Sequence, residues 1–286
     1  MARSARARDP ISDGAFRHSG NALKEQWERL HRGDCEPFPD ARRIARLAKA
    51  EAGLAARLDA EGGSAAVAER VQEAWREFHA GNFARAIELG GKLGPLGAAA
   101  ANKAAAIQAS AMAPGAAGAL KILQAACKRG EEAVKRLPDA ANSHYMLALV
   151  LGRYSQRISI VTALAEGLGG RVHKLLERTL ELEPRHADAH IALGLYHAEI
   201  VGKLGGLVAG LTYGASPSAA LKHFKRALEL TPEAAIAHIE YAQGLLLLDE
   251  RAHRSQANEL YRRAAKCEPM DAMEWLDVER ARRALA

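Results

Sequence analysis

Eleven histidines are the side chains best able to do chemistry in this sequence of 286 residues. Imidazole titrates near neutral pH and is the commonest metal ligand. His186 and His190 stand four apart, a spacing that would put both rings on one helix face, as in a zinc site. The other parts of such a site are missing. There is no H-E-x-x-H, and Cys35, Cys127 and Cys267 are scattered, with no C-x-x-C pair and no histidine at ligand spacing. His186 follows Pro184 closely, at a turn or first helical turn, and His190 falls on a recurring structural position. Neither a metal nor another cofactor is expected. Lone cysteines give no disulfide framework and fit a reducing compartment.

Other reactive arrangements are equally absent. No G-x-x-x-x-G-K-[ST] loop and no G-x-S-x-G elbow occurs. The glycine pairs at 169–170 and 205–206 follow no strand, so no phosphate cradle is expected there. No catalytic residue is assigned, and the chain is read as a non-enzyme.

The residues must then be placed by helices. Hydrophobic residues make up 49% of the sequence but aromatics only 5%. Alanine supplies much of the difference, and it favours close-packed helices over sheets. The class is all-α. The net charge of +6 is spread along the chain, with Arg3, Arg6 and Arg8 as a basic start. A nucleic-acid binder concentrates its charge on one face, so no nucleic acid is expected. MARSARARDPISDGAF has no apolar stretch after its basic residues, so a secretory leader is not expected. No run of about 18 apolar residues occurs, so the chain is not read as transmembrane. The expected location is the cytoplasm.

A helical phrase recurs. Ala220, Phe224, Ala227 and Pro232 form its clearest copy, and Ala257, Tyr261, Ala264 and Pro269 repeat it. Looser copies are Val172, Leu176, Thr179, Pro184 and Ala126, Gly130, Ala133, Pro138. Steps of four and three keep these positions on one helix face, and the proline stops the helix. A second phrase follows each of the first three prolines: His144, Leu147, Ala148, Leu151; then His190, Leu193, Gly194, His197; then His238, Tyr241, Ala242, Leu245. Together the phrases resemble the two helices of a tetratricopeptide (TPR) hairpin, with histidine in the tryptophan position. Gly81, Phe83 and Ala86 mark a degenerate upstream copy. The expected fold is a TPR-like helical-hairpin superhelix, an α-solenoid, closed by a capping helix in 270–286.

The prolines at 138, 184, 232 and 269 are 46, 48 and 37 residues apart, against about 34 for the standard repeat. Two hairpins are therefore lengthened, by the glycine-rich apolar segments 155–171 and 198–218. The first helix of each is expected to run on for about two turns before a glycine elbow returns the chain. Upstream, 1–20 reads as a disordered basic tail and 21–60 as a helix pair, with Trp27 and Leu30 on one face and Asp40 as an N-cap. Residues 61–286 read as the array.

Residues 130–250 resemble the regulator of microtubule dynamics family. The resemblance is carried by GEEAVKRLPDAANSHYMLALVLGRYSQ, LERTLELEPRHADAHIALGLYHAEI and YGASPSAALKHFKRALELTP. It implies an array of non-standard TPR hairpins with no catalytic residues. Animal members are linked to microtubules and organelle surfaces. The alanine- and arginine-heavy composition reads instead as bacterial, so that partner is not transferred.

In TPR arrays the first helices line a concave groove. The matching partner-binding candidates are Asn142, Tyr145, Leu149, Asp188, Ile191, Leu195, Ile239 and Gln243, edged by Arg153 and Arg157. Such a groove is largely apolar and suits a protein or peptide partner. A competing expectation is that the array's own inserts fill it. A second class of partner is a lipid or membrane surface met by the apolar inserts. A homo-oligomer is compatible with either.

Overall fold

Alanine-rich segments fold into fifteen α-helices with no strand among the described residues, and Pro138, Pro184 and Pro232 follow closely on the ends of three of them. The computed structural model describes residues 11, 13–49, 51–113 and 115–286. The first helices are α1 (Ala22–Leu30), α2 (Ala41–Lys49), α3 (Ala52–Ala60), α4 (Gly63–His79) and α5 (Phe83–Lys92). They are followed by α6 (Ala98–Ile107), α7 (Gly115–Arg136), α8 (Ala141–Ser155), α9 (Ile160–Ala165) and α10 (Leu168–Leu182). The last are α11 (Ala187–Leu204), α12 (Gly206–Tyr213), α13 (Pro217–Leu230), α14 (Ala235–Ala264) and α15 (Ala272–Leu285). Helix α14 is two helices joined at Asp249, whose backbone (φ −160°, ψ 100°) leaves the helical region. No helix among the described residues is long and apolar enough to cross a membrane.

Side chains that compete for backbone groups set the helix starts. Asp40 accepts the Arg43 amide at 2.7 Å, and Glu51 caps α3 through Gly53 and Leu54. Ser216, followed by Pro217, starts α13, and Asp271 accepts the Glu274 amide at 2.7 Å to start α15.

Neighbouring helices pack in sequence: α7 with α8, α8 with α10, α11 with α13 and α14, and α14 with α15. The repeated phrases form the seams. Ala220, Phe224, Ala227, Ala257 and Ala264 have no exposed surface. Phe224 stacks on Tyr241 at 5.1 Å and lies between Gly194 and Gly244. A Cβ at Gly194 would come within 2.6 Å of the Phe224 ring, and one at Gly244 would also collide with it.

The N-terminal third has its own core. Trp27, Trp75, Phe78 and Phe83 are buried in it, with Trp27 and Trp75 edge to face at 5.9 Å. Ala272 of α15 and the partly buried Ile11, Phe16, Met270 and Met273 join the same core. The two ends of the chain therefore meet.

Three sequence expectations change. In the tail, residues 1–10 and 12 lie outside the described residues, but Phe16 packs on the core and His18 bonds the Met270 carbonyl at 3.3 Å. The segment 21–60 holds three helices, because Glu51 caps a new helix rather than extending α2. The two inserts also differ. Helix α11 runs on to Leu204 because Ala198 and Val201 stay buried, then turns at Gly205 (φ 76°). Helix α8 stops at Ser155, and its insert forms the separate short α9.

Candidate binding face and its intramolecular occupant

The candidate positions lie on α8, α11 and α14, and the segment between α1 and α2 lies against those of α8 and α11. The Asp188 amide donates to the Gly33 carbonyl at 2.9 Å. Asn142 Nδ2 donates to the Asp34 carbonyl at 2.8 Å and to Glu36 Oε2 at 2.6 Å. The Cys35 thiol faces the Arg185 carbonyl at 3.5 Å, and Arg32 pairs with Glu233. Gly33 passes so close to Asp188 that a Cβ there would overlap its carboxylate. Residues 31–36 therefore cover Asn142 and Asp188, and the glycine-rich inserts do not.

Asn142 is fixed from behind by His186. The imidazole Nδ1 accepts the Ala189 amide at 3.1 Å, which leaves Nε2–H to donate to Asn142 Oδ1 at 2.9 Å. Burial pushes His186 down to about 3, so it stays neutral. This use of His186 removes it from any pairing with His190. Instead His144, His190 and His238 each bond the carbonyl of the proline six residues earlier, at 2.7, 3.3 and 2.8 Å. Each of these histidines thus ties the start of its helix to the preceding turn.

Beneath the loop lies a buried charge network. Lys103 Nζ is 2.6 Å from Asp34 and 3.8 Å from Asp188. Burial opposes the charge on Lys103, but Asp34 and Asp188 outweigh it and raise the ammonium above its ordinary value. Burial would likewise raise Asp34, but Lys103 and His31 hold its carboxyl well below the usual range. Asp188 is pushed up to about 6 by burial, and Glu36 to about 7 by burial with Asp34 adding to it. His31 Nδ1 is 2.9 Å from Asp34, and His79 Nδ1 is 2.7 Å from Asp271. The two rings meet Nε2 to Nε2 at 3.3 Å. The arrangement orders the loop, and Cys35, Glu36 and Asn142 line a pocket beside it.

The sequence-derived candidates separate into three sets. Asn142 and Asp188 bind the loop directly, and Tyr145 packs on His186 at 4.4 Å. Leu149, Ile191, Leu195 and Ile239 pack into the apolar cores, and Gln243 is partly buried. Arg153 lies 3.5 Å from Gln156, and Arg157 donates to the Ala109 carbonyl at 3.1 Å, so Arg157 braces the turn after α6. Sequence reasoning missed His31, Asp34, His79, Lys103 and Asp271. Their one signal is a lone lysine and asparagine inside the alanine run AAAANKAAAI.

A second surface lies at the far edge. Leu207 and Leu211 of α12 are 78% and 82% exposed, with Leu204 and Val208 beside them, and Val161 of α9 is also exposed. Only Ala209 of α12 is buried, against Val201 and Ala215.

No curated protein matches this chain. A family model described as regulator of microtubule dynamics protein 1-3 matches residues 101–284. The match spans the helices α8, α11 and α14 that carry the candidate residues, together with Lys103 and nearly all of α15. It covers well over half of the sequence, and the chain belongs to the regulator of microtubule dynamics family.

Proposed function

We propose that this protein is a non-catalytic, TPR-type adaptor that binds a protein partner through its lengthened hairpin edge. One observation carries the reading. Residues 31–36 cover Asn142 and Asp188, while Leu204 at the end of α11 and Leu207, Val208 and Leu211 of α12, a helix held by little beyond Ala209, stand exposed. Apolar side chains gathered on one exposed element mark an interaction site more often than scattered ones do. The titratable side chains around the loop are engaged with one another, which supports a non-enzymatic role.

A lipid surface is the second reading. The eighteen residues from Leu204 to Leu221 carry no charge, and Lys203 and Lys222 flank them. Apolar side chains with flanking lysines also suit a membrane interface.

A photo-crosslinking residue at position 211, compared with one at position 188, tests both. Position 211 is expected to give a discrete protein adduct in cells and position 188 none. Adducts only from 188 would return the site to the concave face. Lipid adducts from 211, with co-sedimentation on phospholipid vesicles that Leu207→Ser/Leu211→Ser abolishes, would establish the second reading instead.

A further inference from the structure

Four buried side chains from three parts of the chain form one hydrogen-bonded row: Asp34, His31, His79 and Asp271. The row has three links, of 2.9, 3.3 and 2.7 Å. Each link needs one proton. Two neutral imidazoles bring only two, and ionised carboxylates bring none. With both Nδ1–H groups donating to carboxylates, two bare Nε2 lone pairs would face each other. We infer that the row holds one extra proton at neutral pH, shared along Asp34–His31–His79–Asp271, and that this proton latches the N-terminal loop to the C-terminal cap.

The surroundings balance the charge. The extra proton offsets one of the row's two carboxylates, and Lys103 of α6, 2.6 Å from Asp34, faces the other while it also lies 3.8 Å from Asp188. Without it, the buried row would keep an unmatched negative charge, which is costly away from water. Every packed element contributes its titratable groups. The N-terminal segment brings His18, whose ring lies edge-on to His79 at 5.8 Å, with its Nε2 turned to the Met270 carbonyl. Helix α11 brings Asp188 on the far side of Lys103, and α15 brings Glu274, paired with Arg29 at 2.7 Å. Trp27 and Trp75 cover the rings, with Trp27 stacked on His31 at 3.9 Å. Burial lowers the basicity of both imidazoles and Lys103 adds to it, so burial opposes the extra proton, while the contacts with Asp34 and Asp271 act the other way and favour it. The shared proton belongs to the row rather than to either ring.

Unfolding breaks the row and frees two ordinary histidines, which release their protons above a pH of about 6.5. The folded chain then holds one proton more than the unfolded chain, so stability falls as pH rises. From pH 7 upward, until the row itself titrates, the folding equilibrium constant is expected to drop tenfold per unit more steeply in the native protein than in His79→Gln. Glu36 also titrates in this range, which is why the difference between the two proteins is the readout. Urea unfolding across pH 7–9 measures it. Imidazole ¹⁵N spectra of the unmodified protein at pH 7 supply a second measurement if the variant does not fold. Three N–H or shared-proton signals across His31 and His79 are expected. Parallel pH slopes, or two neutral rings with bare Nε2 atoms, would overturn the inference. So would a stoichiometric metal ion in native mass spectra that is lost in His79→Gln, since the metal would then stand in the proton's place.

Discussion

Asn142 shows how much one side chain can decide. Its carbonyl accepts a hydrogen bond from the His186 Nε2–H, and its amide group donates to the Asp34 carbonyl and to Glu36. Replacing it with alanine leaves a buried imidazole N–H and a buried carbonyl without partners, each costing about 1–3 kcal/mol. Asn142→Ala is therefore expected to lose roughly 2–6 kcal/mol in urea unfolding, on the same principle. It should also make amides 33–36 exchange faster than those of α13. If Asn142 were a surface groove residue awaiting a peptide, neither change would appear. The sequence marks Asn142 as a concave residue because it stands two positions before His144 of the repeated phrase, at the start of α8. It does not mark what the residue holds, because the Asp34 carbonyl is 108 residues away.

At the scale of elements, glycines decide how closely the helices approach. Gly194 on α11 and Gly244 on α14 press on opposite sides of Phe224 from α13, so the ring cannot swing away from either. Gly244→Ala forces an added methyl against a boxed ring, and overpacking of this kind costs about 1–3 kcal/mol. Thermal melts should show the loss, and Gly244→Ala combined with Phe224→Leu should lose less than the two single changes summed. An additive result would mean that the ring is free to move. Gly194 and Phe224 are legible as repeat positions, because the four-and-three spacing is local. The different fates of the two inserts are not. Both are apolar and glycine-rich, but only 198–204 keeps finding buried neighbours, at Ala198 and Val201, and so stays helical.

For the whole molecule, the ends of the chain close on each other. Helix α1 places Trp27 against Trp75 of α4, and α15 returns Ala272 and Asp271 to the same core. Trp27→Ala removes a buried indole at this junction, a change that costs about 3–5 kcal/mol. The loss should reach the far side of the array: urea unfolding followed by tryptophan fluorescence and by circular dichroism should shift together. A fluorescence transition preceding the loss of helix would show that the N-terminal part unfolds separately. The family match begins at residue 101, while Trp27, Asp34, Trp75 and His79 precede it, so the match by itself leaves out half of the junction.

The sequence by itself determined the all-α class, the proline-bounded helix order and the buried stripes such as Ala220, Phe224 and Ala227. It could do so because helical periodicity and helix stops act over a few residues. It also carried the family resemblance. Only the tertiary structure decided what covers Asn142 and Asp188 and which polar groups the core encloses. His31 and His79 are 48 residues apart, and His79 and Asp271 are 192 apart. No local pattern links such residues. They become partners because the closing of the chain removes them from water together, and buried polar groups must then satisfy one another.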